Sequence, residues 1–325
     1  PVSPYIEVNT DIRFAYHHYF GGAGENDWEI SGDEGQVSAD FGVDFKLGQD
    51  GRLTLYDEIS REIESLRVVR EARDADYSLL TNILGLRYEN QLNRDWNGSI
   101  QYEHKNRWAS PSEYDYEDSI SDAIDVVFLR RVTPSLKLGP YVRYERIRFP
   151  EDRRNDRDVW GGGLSYVWDS GSWVSIDGVF GYEVTEVDTD NDPTATDEGG
   201  EWVTRFNVSV NPAVLPGHRV RASYRREHED VSEGHNYADE ILLGYSILFR
   251  YGDYTRVFAD VDWMDINESD DGEHAQLWRF RLGTGYDLTR DTDLDATYEF
   301  TDKSSDIDGN DYTRNVFEVR VKHRF

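Results

Sequence analysis

From Phe317 to Phe325 the chain alternates without a break: Phe317, Val319, Val321, His323 and Phe325 fall on one side, and Glu318, Arg320, Lys322 and Arg324 on the other. A period of two residues places these sets on opposite faces of a β-strand, one apolar and one charged. The preceding segments repeat the pattern. Leu294, Ala296, Tyr298 and Phe300 oppose Asp293, Asp295, Thr297 and Glu299, and Trp278, Phe280 and Leu282 oppose Arg279 and Arg281. The same two faces run back through Ile241 to Phe249, Trp202 to Val210, Leu80 to Tyr88 and Val37 to Phe45, reaching Ile6, Val8 and Ile12.

About sixteen such segments can be followed, each near the 9 to 11 residues that a tilted strand needs to cross a bilayer. Their connections alternate in length. Tight ones carry turn residues, as at Gln49-Asp50-Gly51, Asn93-Arg94-Asp95, Thr133-Pro134-Ser135, Asp169-Ser170-Gly171, Leu215-Pro216-Gly217, Tyr251-Gly252-Asp253 and Arg290-Asp291. Long polar ones include Gly21 to Gly35, Arg67 to Asp76, Pro150 to Asp158, Asp188 to Glu201, Asn267 to His274 and Ser304 to Asp311. A water-soluble sandwich would also alternate, but its loops would not sort by length and its charged face would look outward. The expected fold is therefore all-β: a closed antiparallel transmembrane barrel of about sixteen strands, one domain over residues 1–325, with short periplasmic turns and long extracellular loops.

Aromatic residues near the ends of the apolar faces fit the two membrane interfaces: Tyr88, Tyr102, Tyr144, Trp160, Trp168, Trp202, Tyr224, Tyr245, Trp263 and Trp278. One segment departs from the pattern. Between Arg52 and Ile63, Asp57 and Arg61 share a face with Leu53, Leu55 and Ile59, which predicts a bulge there or a strand already clear of the membrane.

Composition narrows the function classes. No run approaches the roughly 20 apolar residues of a membrane-spanning helix. Cysteine is absent, so disulfides, thiolate metal sites and cysteine nucleophiles are excluded. A formal charge of −30 argues against nucleic acid as a partner, and no cofactor is expected. Pro1 to Tyr5 shows no basic, apolar leader, so a secretory signal is expected to have been removed.

The terminal segment, Asp311 through Phe325, resembles the closing strand of Gram-negative outer-membrane proteins. In that group the final aromatic and the apolar positions before it, here Phe317, Val319, Val321 and Phe325, form the signal read by the barrel-assembly machinery. The resemblance implies the outer membrane as location, with its lipid and lipopolysaccharide as surroundings. The last hairpin, Thr297 to Ser305 and Asp311 to Asn315, is similar to porin-type barrels found near exopolysaccharide-export systems. No Pro-Glu-Phe-Gly-Gly segment of the general-diffusion porins is present.

With the apolar face on lipid, the charged face lines the lumen and sorts by strand. Asp260 and Asp262 are acidic, Arg279 and Arg281 basic, Asp293, Asp295 and Glu299 acidic, and Arg320, Lys322 and Arg324 basic, with Glu7 and Asp11 closing the circuit. Opposite charges on strands about 5 Å apart attract, so ladders of cross-strand pairs are expected. Unpaired members would form a selectivity zone. Arg205, Arg219, Arg221 and Arg225 are the foremost candidates, because two consecutive strands supply arginine with few facing acids.

Asp188, Asp190 and Asp192, and likewise Asp306 and Asp308, space oxygen ligands as a hard cation prefers, without completing a calcium loop. His104, His218, His228 and His235 have no nucleophile motif beside them, although His228 stands near Glu227 and Asp230, and no enzyme is expected. A channel for small hydrophilic solutes, anionic ones or saccharides among them, ranks first. A conduit for exopolysaccharide, which implies a periplasmic partner, ranks second, and a scaffold barrel third.

Overall fold

The structure is a computed structural model that describes residues 5–20, 33–63, 78–110, 118–150, 155–171, 173–188, 198–212, 215–229, 236–252, 254–268, 274–307 and 311–324. Its strands are β1 (Ile6–Phe20), β2 (Asp33–Leu47), β3 (Gly51–Ile63), β4 (Ser78–Gln91), β5 (Trp96–Ser110), β6 (Ser119–Arg131), β7 (Leu136–Arg148) and β8 (Arg157–Asp169). They continue with β9 (Val174–Val187), β10 (Glu198–Val210), β11 (His218–Glu229), β12 (Asn236–Tyr251), β13 (Thr255–Glu268), β14 (His274–Asp287), β15 (Thr292–Ser305) and β16 (Tyr312–Arg324). Each pairs antiparallel with its neighbours in sequence, and β1 pairs with β16, so the sheet closes as a sixteen-stranded barrel.

Closure fixes the dimensions. Following the ladder partners from Thr10 once around the barrel returns to β1 about 20 residues further along, which tilts the strands about 40° and sets the backbone about 16 Å from the axis. Side chains alone cannot fill a cylinder of that width. The accessible surface is 19173 Å², against about 14,000 Å² for a compact protein of the same mass, as a hollow wall requires.

The two faces are those expected from the alternation. Phe41, Phe206 and Phe280 point outward, 45%, 37% and 44% exposed, while Arg281 and Asp295 lie on the inner wall. Of the terminal signal, Phe317, Val319 and Val321 are outward and exposed, and Phe325 lies outside the described residues. All seven turn motifs fall between an even-numbered strand and the next and every connection named as long follows an odd-numbered strand, although 211–217 after β10 is longer than 269–273 after β13 or 306–311 after β15. The β2–β3 turn differs in detail: Gly48 takes the left-handed conformation (φ 73°), and Gly51 instead opens β3.

A belt on the outer wall marks the loop-side interface. In hairpin after hairpin, an outward tyrosine donates to a polar group two residues loopward of its ladder partner. Tyr102 bonds Asp122 (2.7 Å), Tyr144 bonds Asp158 (2.6 Å), Tyr224 bonds Asp239 (2.7 Å), and Tyr298 bonds Asn315. Ring and hydroxyl divide the work, the ring resting against apolar neighbours and the phenol reaching water-side acids. On β8, Trp160 and Trp168 stand eight residues apart, about 20 Å along the membrane normal at this tilt, a depth fit for an outer-membrane apolar band. Tyr182, Tyr286 and Tyr298 also belong to the outward aromatics, although the sequence pattern did not single them out as interfacial.

The departure on β3 is resolved against both expectations. The ladders from Leu47↔Gly51 to Ser38↔Ser60, and from Gly51↔Asn90 to Ile63↔Ser78, run without interruption, so there is no bulge. Nor has the strand left the apolar band at Asp57, because Leu55, Ile59, Phe41 and Leu84 surround that residue.

Replacing Leu282 by Arg, in mid-wall on the outer face, should cost about 2 to 4 kcal/mol in urea unfolding from lipid vesicles. The inward Ser246→Arg, set between Arg219 and Asp260, should cost under about 1 kcal/mol in the same assay.

Candidate functional site

The inner wall from β11 round to β1 is a lattice of guanidinium–carboxylate pairs. The registers set Asp262 against Arg279 and Asp260 against Arg281, then Arg281 against Glu299, Asp295 against Arg320 and Asp293 against Lys322. Glu299 accepts from several donors at once. It receives Arg281 Nη2 at 2.8 Å and Arg314 Nη2 at 3.0 Å, with Arg279 Nε at 3.9 Å. At the closing seam Arg320 grips both oxygens of Asp11, one of them from Nε at 2.7 Å. That fork ties the first strand to the last.

Arg221 and Arg225 were expected to be surplus cations, and the structure corrects that. Arg225 faces Glu240 in register and bonds it at 2.8 Å. Arg221 passes its neighbouring strand altogether and bonds Asp262, two strands away, at 2.9 Å. It can do so because the residue between them in the row is Gly244, where a Cβ would stand 2.3 Å from Asp262 Oδ1. The same row recurs as Arg256, Gly285 and Asp295, with Arg256 Nη2 to Asp295 at 2.8 Å and Nη1 to Asp287 at 2.8 Å. Tyr56, Gly85 and Glu103 form a third such row, with the phenol donating to the acid. A missing side chain on the middle strand lets a long one lie flat along the wall.

Arg219 bonds Asn211 at 3.1 Å. Arg205 stands directly opposite Arg225 across the β10–β11 ladder, a like-charge pair. The repulsion is offset on both sides: Arg225 by Glu240, and Arg205 by the field of Asp125. Asp125 belongs to a second cluster on the neighbouring strands β6, β7 and β9, with Arg143, Glu145, Tyr141 and Glu183. Within it Arg143 Nη2 bonds Glu145 at 2.7 Å.

An asymmetry marks most of these pairs, with Arg256–Asp287 reversed (25% against 38%) and Arg143–Glu145 nearly even (23% against 20%). The Arg221 side chain is 39% exposed over Asp262 at 7%, Arg281 is 34% over Glu299 at 13%, and Arg52 is 55% over Asp44 at 10%. Carboxylates lie against the backbone, and guanidinium groups stand over them toward the lumen water. Cations and acids are close to even in number on the described inner wall. Most of the chain's formal charge of −30 falls instead on the long connections, in runs such as Glu113-Tyr114-Asp115-Tyr116-Glu117-Asp118 and Asp270-Asp271-Gly272-Glu273.

Among the metal candidates, Asp190, Asp192 and Asp308 lie outside the described residues. Asp306 accepts the backbone N–H of His274 at 2.9 Å, which fastens the base of a long connection. The Asp188 backbone donates to Asp156 O at 2.9 Å. Among the described residues no three His, Asp or Glu side chains converge as a metal site. His104 is on the outer wall against Asp122 (2.8 Å), and His218 bonds Tyr245 at the turn end. His235 and the side chain of His228 lie outside the described residues.

No protein-family model matches the chain, and no curated protein sequence matches it. Solved structures do. The chain is similar to the CymD monoaromatic hydrocarbon channel at TM-score 0.54 and 10% identity, covering 99% of this chain and 88% of that one. It is similar to OccK9 (OpdG) of Pseudomonas aeruginosa at TM-score 0.51 and 10% identity, covering 98% of each. To CdiB from Acinetobacter baumannii the TM-score is 0.62 at 12% identity, over 98% of this chain and 60% of that one. These likenesses establish the fold, a closed porin-type barrel.

Gly244→Val should push Arg221 off Asp262 and lower stability by about 1 to 3 kcal/mol, since a half-buried charge loses its partner. Gly42→Ala, where nothing lies within 4 Å of the added carbon, should leave the urea midpoint unchanged.

Proposed function

We propose that this chain is an outer-membrane channel for small hydrophilic solutes, and that its inner wall favours anionic or hydroxyl-rich ones. The observation that carries the reading is the guanidinium layer standing over nearly buried carboxylates inside a barrel about 16 Å in radius. Paired in this way, the arginines keep free N–H donors for carboxylate, phosphate or sugar oxygens, while the acids beneath prevent a net positive field strong enough to trap them. The CymD barrel carries hydrocarbons by name, but a wall crowded with ionised pairs offers hydrocarbons no advantage over water. The outward Phe317, Val319 and Val321 suit the closing strand to the barrel-assembly machinery, and the aromatic belts suit the wall to outer-membrane lipid and lipopolysaccharide.

The acidic connections act on the same solutes from the mouth. Their field reaches about 3 Å in 1 M salt and about 30 Å in 0.01 M salt. Purified protein in planar bilayers should therefore give discrete conductance steps. In a KCl gradient near 1 M the reversal potential should take the sign of chloride preference, set by the wall. Near 0.01 M it should move toward potassium preference, set by the mouth. Potassium preference at both concentrations would remove the guanidinium layer from the selectivity argument, and absence of conductance would end the channel reading.

A further inference from the structure

We propose that the outer face of β2, β3 and β4 is the contact surface for a second copy of this chain, centred on Asp57 and Asn82. Asp57 points outward between Leu55 and Ile59 on its own strand and sits opposite Phe41 and Leu84 in the two ladders. All four neighbours are large, apolar and exposed. The other described outward acids of the loop-side half, Asp122, Asp158, Glu186, Asp239, Asp265 and Asp302, stand in or above the tyrosine belt, where water reaches them. Asp57 stands within the apolar band. A polar group there meets hydrocarbon that offers no hydrogen bond, unless protein covers it.

The aromatic belt points to the same place. Where β5, β7, β8 and β9 set Tyr102, Tyr144, Trp160 and Tyr182 at the loop-side interface, β3 and β4 set Ile59, Asn82 and Leu84. The residues that anchor a wall in lipid headgroups are replaced by a flat aliphatic patch around one amide and one carboxylate.

The chemistry of that pair selects the occupant. Asn82 Nδ2 donates to Asp57 Oδ1 at 2.6 Å, which uses one of the two amide N–H groups and one carboxylate oxygen. Each copy therefore carries one donor and two acceptor oxygens, Asp57 Oδ2 and Asn82 Oδ1, to spare. Across a two-fold axis, the second N–H of each Asn82 can meet the second oxygen of the other copy's Asp57, so two copies supply each other's missing bond. Such an isologous contact is the commonest arrangement of like subunits. Lipid tails bring no donor at all.

The chain contains no cysteine, so single cysteines report contacts without background. Full-length protein carrying Leu84→Cys, oxidised in its native membrane, should form a disulfide dimer in a yield about tenfold above Leu282→Cys, which lies on a distant part of the wall. Adding Asp57→Leu should lower the Leu84→Cys dimer by about tenfold, the effect of two modest hydrogen bonds inside a membrane. Heat-dependent gel mobility, read on the same samples, separates loss of contact from loss of folding. Equal yields at the two positions would overturn the proposal. So would a dimer indifferent to Asp57→Leu, or a cross-linked species with the mass of another protein. None of these outcomes depends on conductance, so the interface and the channel reading stand or fall separately.

Discussion

Hydrocarbon offers no hydrogen bond to a peptide group, and that constraint shapes everything else in this barrel. A sheet placed in it must pair every N–H and C=O internally and can have no edge, so the strands close β1 onto β16. Once closure is required, the pleat sends alternate side chains to lipid and to the interior. A residue's parity along its strand then determines its environment. Phe280 and Arg281 are adjacent in the chain and face opposite solvents.

An interior of this width has to be lined with polar groups that do not collapse into it. The rows through Gly244, Gly285 and Gly85 show how the wall manages this, since an absent side chain on the middle strand allows its neighbours to join along the surface. Lying flat, they tie three strands together at each level. The Arg320–Asp11 fork does the same across the seam where the chain's two ends meet. The same contacts stiffen the wall and keep these side chains flat along it. The interior is near neutrality and the excess acid lies on the connections, so the channel proposed above would divide its selectivity between wall and mouth.

Much of the architecture was legible in the sequence because it rests on local signals. Alternation such as Trp278-Arg279-Phe280-Arg281-Leu282 fixes both faces of β14, and Thr133-Pro134-Ser135 marks the β6–β7 turn without any knowledge of neighbours. What escaped depends on register. Arg221 looked unpaired because its acid, Asp262, is two strands away and reachable only past Gly244. The diagonal from Tyr144 to Asp158 is invisible until two strands are aligned. Asp57 suggested a defect because a rule equating outward with apolar has no place for a carboxylate among lipid-facing side chains. The unbroken β2–β3 and β3–β4 ladders show a regular strand carrying an irregular residue.

The division of the wall into a lipid side and a water side can be measured residue by residue. Spin labels placed singly from Trp278 to Gly283 along β14, in the protein reconstituted into lipid, would be read for collision with oxygen and with a water-soluble nickel chelate. Oxygen contact should peak at positions 278, 280 and 282, and nickel contact at 279, 281 and 283, in strict counterphase. A profile without that period, or with its phase reversed, would contradict the barrel as described.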